Sequence, residues 1–129
     1  METLFQEQHF PVSLSDLPSK IKTLNKKDSK ACLKKNNIEW QQLNHPGTSY
    51  GFKFKKNKSY FLYLNDHELI QQDLQKDSTM IQFCKNATHV IHDCQFIESD
   101  RSSKTGWGHS FLKDVLNLSQ KSNIKSRLI

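Results

Sequence analysis

IEWQQLNHPGTSYGFKFKKNKSYFLYLND, Ile38 to Asp66, is the stretch on which the rest of the chain hangs. Ser49 to Lys55 alternates, which puts Tyr50, Phe52 and Phe54 on one face of a strand. Before it, Ile38-Glu39-Trp40-Gln41-Gln42-Leu43 is half apolar and reads as a strand. That strand stops at Asn44-His45-Pro46-Gly47, strong turn chemistry. After it, Lys56-Asn57-Lys58 is a hairpin-type turn, and Ser59 to Leu64 is an aromatic-rich strand.

Downstream, Asp66 is placed to N-cap a helix with Glu68 in its first turn, running to about Lys85 with a break near Asp77-Ser78. Thr88 to Ile91 reads as a short buried strand ending in His92-Asp93. A polar loop, Glu98 to Thr105, leads to Gly106-Trp107-Gly108-His109-Ser110. Ser110 to Leu118 fits a helix, and Asn123 to Ile129 fits the entry to a strand. Upstream, residues 1–10 read as a helix end running into Phe10-Pro11-Val12. Ser15-Asp16-Leu17-Pro18 reads as a turn and Ile21 to Leu24 as a short strand. The polar run 25–37 is expected to be an exposed lysine-rich loop or hairpin. Strands alternating with helices predict an α/β fold, in one domain over 1–129.

Composition narrows the class. The chain has 129 residues, 35% of them apolar, a formal charge of +6 and no internal repeat. Leu, Ile, Val and Phe number 33, enough for a folded core but a thin one. No apolar run approaches a membrane span, and the N-terminus lacks a signal-peptide pattern. Cys32, Cys84 and Cys94 are odd in number and widely spaced, against a disulfide framework or zinc knuckle and in keeping with a reducing, cytoplasmic setting. The charge comes from 17 Lys and only two Arg, with clusters at Lys26-Lys27, Lys34-Lys35 and Lys53 to Lys58. Base readout and bidentate phosphate clamps favour Arg, so a solvated lysine surface outweighs a nucleic-acid patch.

The chemistry-bearing residues gather at loops. All four glycines fall in two of them, Gly47 and Gly51, then Gly106 and Gly108, beside His45 and His109. His45, Asp66 and His92-Asp93 each follow a strand, where α/β sheets carry their sites. Imidazole and carboxylate are the ligands of hydrolytic zinc or manganese. Each residue also has a plainer role: His45 a turn residue, Asp66 a cap, His92 and Asp93 loop hydrogen-bond partners, His109 a helix start. His9, His67 and His89 read as structural or surface residues. Trp107 reads as a packing anchor rather than a substrate platform.

Leu43-Asn44-His45-Pro46-Gly47, Gly51-Phe52, Leu64-Asn65-Asp66-His67-Glu68, Ile91-His92-Asp93-Cys94-Gln95-Phe96 and Gly106-Trp107-Gly108-His109-Ser110 occur in the order and spacing of one family. The chain resembles the C-terminal half of metallo-β-lactamase-fold hydrolases, on the ribonuclease Z and class II cyclic-nucleotide phosphodiesterase side. Phe10-Pro11-Val12 also resembles the segment preceding that half. The resemblance implies part of an αββα sandwich with a two-metal site at one edge of its sheets. It implies that His45 is a metal ligand and Asp66 the carboxylate bridging both metals. Asp93 then matches the acid of the family's His-Glu-Ala-Thr loop, with His92 beside it. His109 matches the histidine that helps proton transfer to the leaving group, with Gly47 and Gly108 supporting the loops.

The chain departs from the family at other positions. The H-x-H-x-D-H motif is absent, and the chain ends before the last ligand histidine. Thr48, Asn65, His67 and Phe111 also differ from the usual residues. The expectation is therefore a truncated or split hydrolase with family activity on phosphodiesters, binding zinc or manganese weakly and inactive alone. Its partner would be a chain carrying H-x-H-x-D-H. The alternatives are a non-catalytic protein-interaction module, its sheet surface covered by another protein, and a basic nucleic-acid-binding domain.

Overall fold

In a computed structural model of the chain, residues 16–128 are described. The expected N-terminal helix end and the Phe10-Pro11-Val12 match lie outside them. The chain divides into two compact units, Met1–Ala31 and Cys32–Ile129.

In the first unit, Ile21 to Leu24 forms no strand. The expected lysine-rich loop is instead a helix, α1 (Lys26–Lys35), which begins in this unit. Its sequence is mostly polar, with Ala31, Cys32 and Leu33 adjacent rather than spaced along a face, and it buries no residue, so hydrophobic periodicity is silent. Local chemistry makes it helical. Asn25 Oδ1 accepts the Asp28 N–H at 2.9 Å as an N-cap. Asp28 lies in the first turn and Lys34 and Lys35 in the last, each opposing the charge of the helix dipole.

The second unit is built on a five-stranded sheet in the order β1-β2-β3-β4-β5. The strands are β1 (Ile38–Leu43), β2 (Ser49–Lys56), β3 (Ser59–Leu64), β4 (His89–His92) and β5 (Ser126–Leu128). The first three pair antiparallel, β2 and β3 across a tight turn with Asn57 in the left-handed region, φ 57°. β3, β4 and β5 run parallel. Parallel neighbours need crossovers, and these carry α2 (Thr79–Cys84) and α4 (Leu112–Lys121). Before α4, a short helix α3 (Arg101–Lys104) follows a 3-10 turn in the expected polar loop. Arg101 fastens it to α4 by a 3.0 Å ion pair with the nearly buried Asp114.

One face of the sheet is covered. Leu43, Leu62, Leu64 and Val90 pack with Met80, Ile81, Phe83 and Cys84 of α2, Val115 and Leu118 of α4, and Leu69, Leu74, Ala87 and Ile124. Gly51 lies on this face because a side chain would not fit: a Cβ there would come within 2.5 Å of Leu64 Cδ2. Lys53, counted above in a surface cluster, is buried on this face and caps the end of α2, its ammonium donating to the Lys85 carbonyl at 3.0 Å.

The other face carries exposed side chains. The pairing places Trp40, Phe52, Tyr63 and Ile91 in one row, and Ile38, Phe54, Phe61 and His89 in the next. Trp40 is 42% exposed and Ile91 49%. Phe54, Phe61 and His89 stack successively, with centroids 5.5 and 4.7 Å apart.

Candidate metal centre

The expected helix from Asp66 to Lys85 is largely absent, and that absence shapes the site. Residues 65–78 form turns, and helix begins only at Thr79, where Ser78 Oγ accepts the Ile81 N–H. Asp66 is therefore no N-cap. It sits in the left-handed region at φ 49°, which Asp tolerates better than most residues. Backbone donors that a helix would use are taken by distant loops. The Glu68 N–H goes to the Asn44 carbonyl at 2.9 Å, the Leu69 N–H to Ser110 Oγ at 3.1 Å, and the His67 N–H toward Asp93 Oδ2 at 3.4 Å. Ser110 Oγ in turn donates to the His67 carbonyl at 2.5 Å.

These bonds draw three loops together. His45 follows β1, Asp66 follows β3, and His109 precedes α4. Their ligand atoms all lie within 4.8 Å of one another, and all three side chains are half-buried. The His45 and His109 rings meet edge to face, centroids 5.7 Å apart. Gly108, at φ 89°, permits this approach, since a Cβ there would collide with the His45 ring and with Pro46 Cδ. Gly47 donates its N–H to His45 Nδ1 at 3.0 Å.

Asp93 stands behind His109. Its Oδ2 lies 2.5 Å from His109 Nδ1, and its side chain is only 5% exposed. A carboxylate accepts, so Nδ1 carries a proton, and in the neutral ring the lone pair is on Nε2. His92, expected beside Asp93, does not join the cluster. Its Nδ1 donates to the Asp93 carbonyl at 2.5 Å, and its Nε2 faces His67 Nδ1 at 3.3 Å. This sequence of bonds sets both tautomers and leaves His67 Nε2 as a buried atom without a hydrogen bond, 3.9 Å from Asp73 Oδ2. Burial, and then the neighbouring His92, push the His67 imidazole down to about 3. Burial lowers His92 as well, and the two form a neutral wedge beneath the site.

Two imidazoles and a carboxylate suit a first-row divalent cation such as zinc or manganese. The sequence led to two ligands, His45 and Asp66; the structure brings His109 within reach as a third. His45 enters this set at a cost. With Gly47 donating to Nδ1, its neutral ring carries the proton on Nε2. A cation must therefore displace either that proton or the Gly47 bond.

Glu68 was noted only as a first-turn acid, yet it is buried, and its carboxylate accepts the N–H groups of Gly106 and Gly108. Two positive-φ glycines just before His109 were the available signal for such an acceptor. Trp107, expected to anchor packing, is 57% exposed, with Lys104 Nζ 3.6 Å from its ring centroid. Its flanking amides are tied inward to Glu68, so the indole stands on the outer side of the loop. The cysteines add no candidate nucleophile inside the core: burial pushes the Cys84 thiol up to about 12.

No family model matches the sequence. No curated protein matches it either. Among solved structures it is similar to the metallo-β-lactamase-fold protein YhfI from Bacillus subtilis, at 18% identity and a TM-score of 0.54. The match covers 70% of this chain and 34% of YhfI. Among the described residues no helix is long and apolar enough to cross a membrane. The α/β chain thus has a metallo-β-lactamase fold, spanning about a third of the matched protein's length.

Proposed function

We propose that the chain supplies part of the active site of a metal-dependent hydrolase acting on phosphodiesters. The observation carrying this reading is the convergence of His45, Asp66 and His109 within 4.8 Å, with Asp93 bonded behind His109. His45 and Asp66 would hold the cation. When bound, a divalent cation polarises the scissile phosphate and a water beside it. Asp93 keeps the His109 proton on Nδ1 and favours the imidazolium once His109 Nε2 takes a proton from the water that attacks phosphorus. His109 then returns that proton to the leaving oxygen.

The 4.8 Å cluster favours a second role for His109, as a third ligand. Replacing it separates the two: His109→Ala leaves zinc affinity nearly unchanged if it moves protons, and lowers it sharply if it ligates.

The chain carries few ligands, so it is proposed to bind metal weakly alone and to need a partner with the H-x-H-x-D-H set. The open sheet face, with its rows of aromatic and aliphatic side chains, is where a sheet of that partner would pack. The deciding experiment measures zinc and manganese binding and hydrolysis of bis(p-nitrophenyl) phosphate, with and without a supplied H-x-H-x-D-H half. Turnover is expected only with both halves. Robust turnover by this chain alone removes the partner from the proposal, and no metal binding in either case removes the hydrolase.

A further inference from the structure

We infer that Glu68 is the positioning residue of this site: one side chain that sets the His109 loop against His45 and Asp66. The inference rests on the metal-dependent reading above and assigns a role to a residue that touches neither metal nor substrate. Glu68 is 6% exposed. Its Oε1 accepts the Gly106 N–H at 2.7 Å and its Oε2 the Gly108 N–H at 2.9 Å.

Both glycines have positive φ, 87° and 89°, which turns alternate amides inward to one acceptor. The backbone of the same residue is fastened to the His45 loop from both sides. Its N–H donates to the Asn44 carbonyl at 2.9 Å, and its carbonyl accepts Asn44 Nδ2 at 3.0 Å. Two residues before it stands Asp66. One residue therefore joins the three loops: its backbone holds the His45 loop beside Asp66, and its carboxylate holds the His109 loop to both.

A bidentate carboxylate is the side chain that can do this. Two N–H groups need two acceptor oxygens at fixed spacing, and charge strengthens both bonds. An amide in its place offers one oxygen and turns an NH₂ against the second amide. Close approach of Gly108 to the His45 ring means that slack in this loop changes the distance between the two imidazoles directly.

The test compares wild type, Glu68→Ala and Glu68→Gln by zinc titration and by NMR of the backbone amides and histidine rings. Lys121→Ala serves as a control; it removes a 2.7 Å bond to the Leu74 carbonyl, later in the 65–78 connection than Asp66 and Glu68 and bonded to neither. Zinc affinity is expected to fall about 10- to 100-fold in Glu68→Ala, the usual effect of losing a group that orients ligands. Glu68→Gln is expected to recover part of it. The Gly106 and Gly108 amide protons should move upfield in both variants, and the His109 ring nitrogens should shift. Lys121→Ala, compared at equal loss of Tm, should stay within about twofold of wild type.

Equal affinity in wild type and Glu68→Ala, or an equal loss in the control, overturns the inference. If wild type binds no zinc, the metal reading fails. Glu68 is then judged by the His109 ring signals alone, and unchanged signals in Glu68→Gln overturn its role.

Discussion

The two faces of the sheet are made by the same strands and end up in opposite environments. On β3, Leu62 is 2% exposed and Leu64 0%, while Tyr63 between them is 43% exposed. On β4, Val90 is buried while its neighbour Ile91 is exposed. Alternation sorts side chains into two faces, but hydrophobicity does not decide which one is covered. The open face is the more aromatic. The covered one is chosen by the crossovers: α2 and α4 both pack on the aliphatic side, and Gly51 clears room for Leu64 there. Among the described residues α2 and α4 lie on one side, which leaves the other for a further layer.

The largest effect should come from the covered face. Leu64→Ala is expected to destabilise the chain by about 2–5 kcal/mol in urea, whereas Trp40→Ala should change it by less than about 1 kcal/mol. Equal losses would mean that the aromatic face is already covered in solution. With an H-x-H-x-D-H half present the ranking should reverse: a Trp40→Ala, Tyr63→Ala pair should weaken association by about 100-fold, since aromatic anchors dominate interfaces. Unchanged association would place the partner elsewhere.

A smaller effect concerns the buried His67–His92 pair. His67 has its pKa held at about 3 in the folded chain, against an ordinary value of 6.5. Its contribution is therefore intact above pH 6.5 and lost as pH falls from there toward 3. For the metal-free chain, roughly 2 kcal/mol should disappear between pH 7 and 5. Burial raises the Asp73 carboxyl, which works the other way at the acid end of that window. Urea midpoints for wild type and His67→Asn check this, the variant showing the flatter profile. The smallest effect is at Trp107. Its replacement by Ala should shift stability by less than about 0.5 kcal/mol, because the exposed indole packs on Lys104 alone among the described contacts.

Much of this architecture could be read in advance. β1 and β3 fall where the sequence put them, β2 runs one residue longer and β4 shifts by one residue, because alternation and turn residues are local signals. His45, Asp66, Asp93 and His109 were singled out by their places after strands and beside glycines, and His45, Asp66 and His109 converge with Asp93 behind them. The failures have two kinds of cause. Residues 66–78 looked helical because their polar and apolar residues permit it, but Asn44, Asp93 and Ser110 claim the amides of Glu68, His67 and Leu69. α1 was missed for the opposite reason, since its stability lies in a cap and end charges, not in a buried stripe. Glu68 and the His67–His92 pair were invisible because their partners lie 25 to 40 residues away.

The sequence by itself determined the strands, the turns and the identity of the groups that could meet a metal, because those depend on neighbours along the chain. Only the tertiary structure decided which face of the sheet is buried, that His109 reaches His45 and Asp66, and that Glu68 ties their loops. Those outcomes depend on which distant donors and acceptors satisfy one another once the interior excludes water.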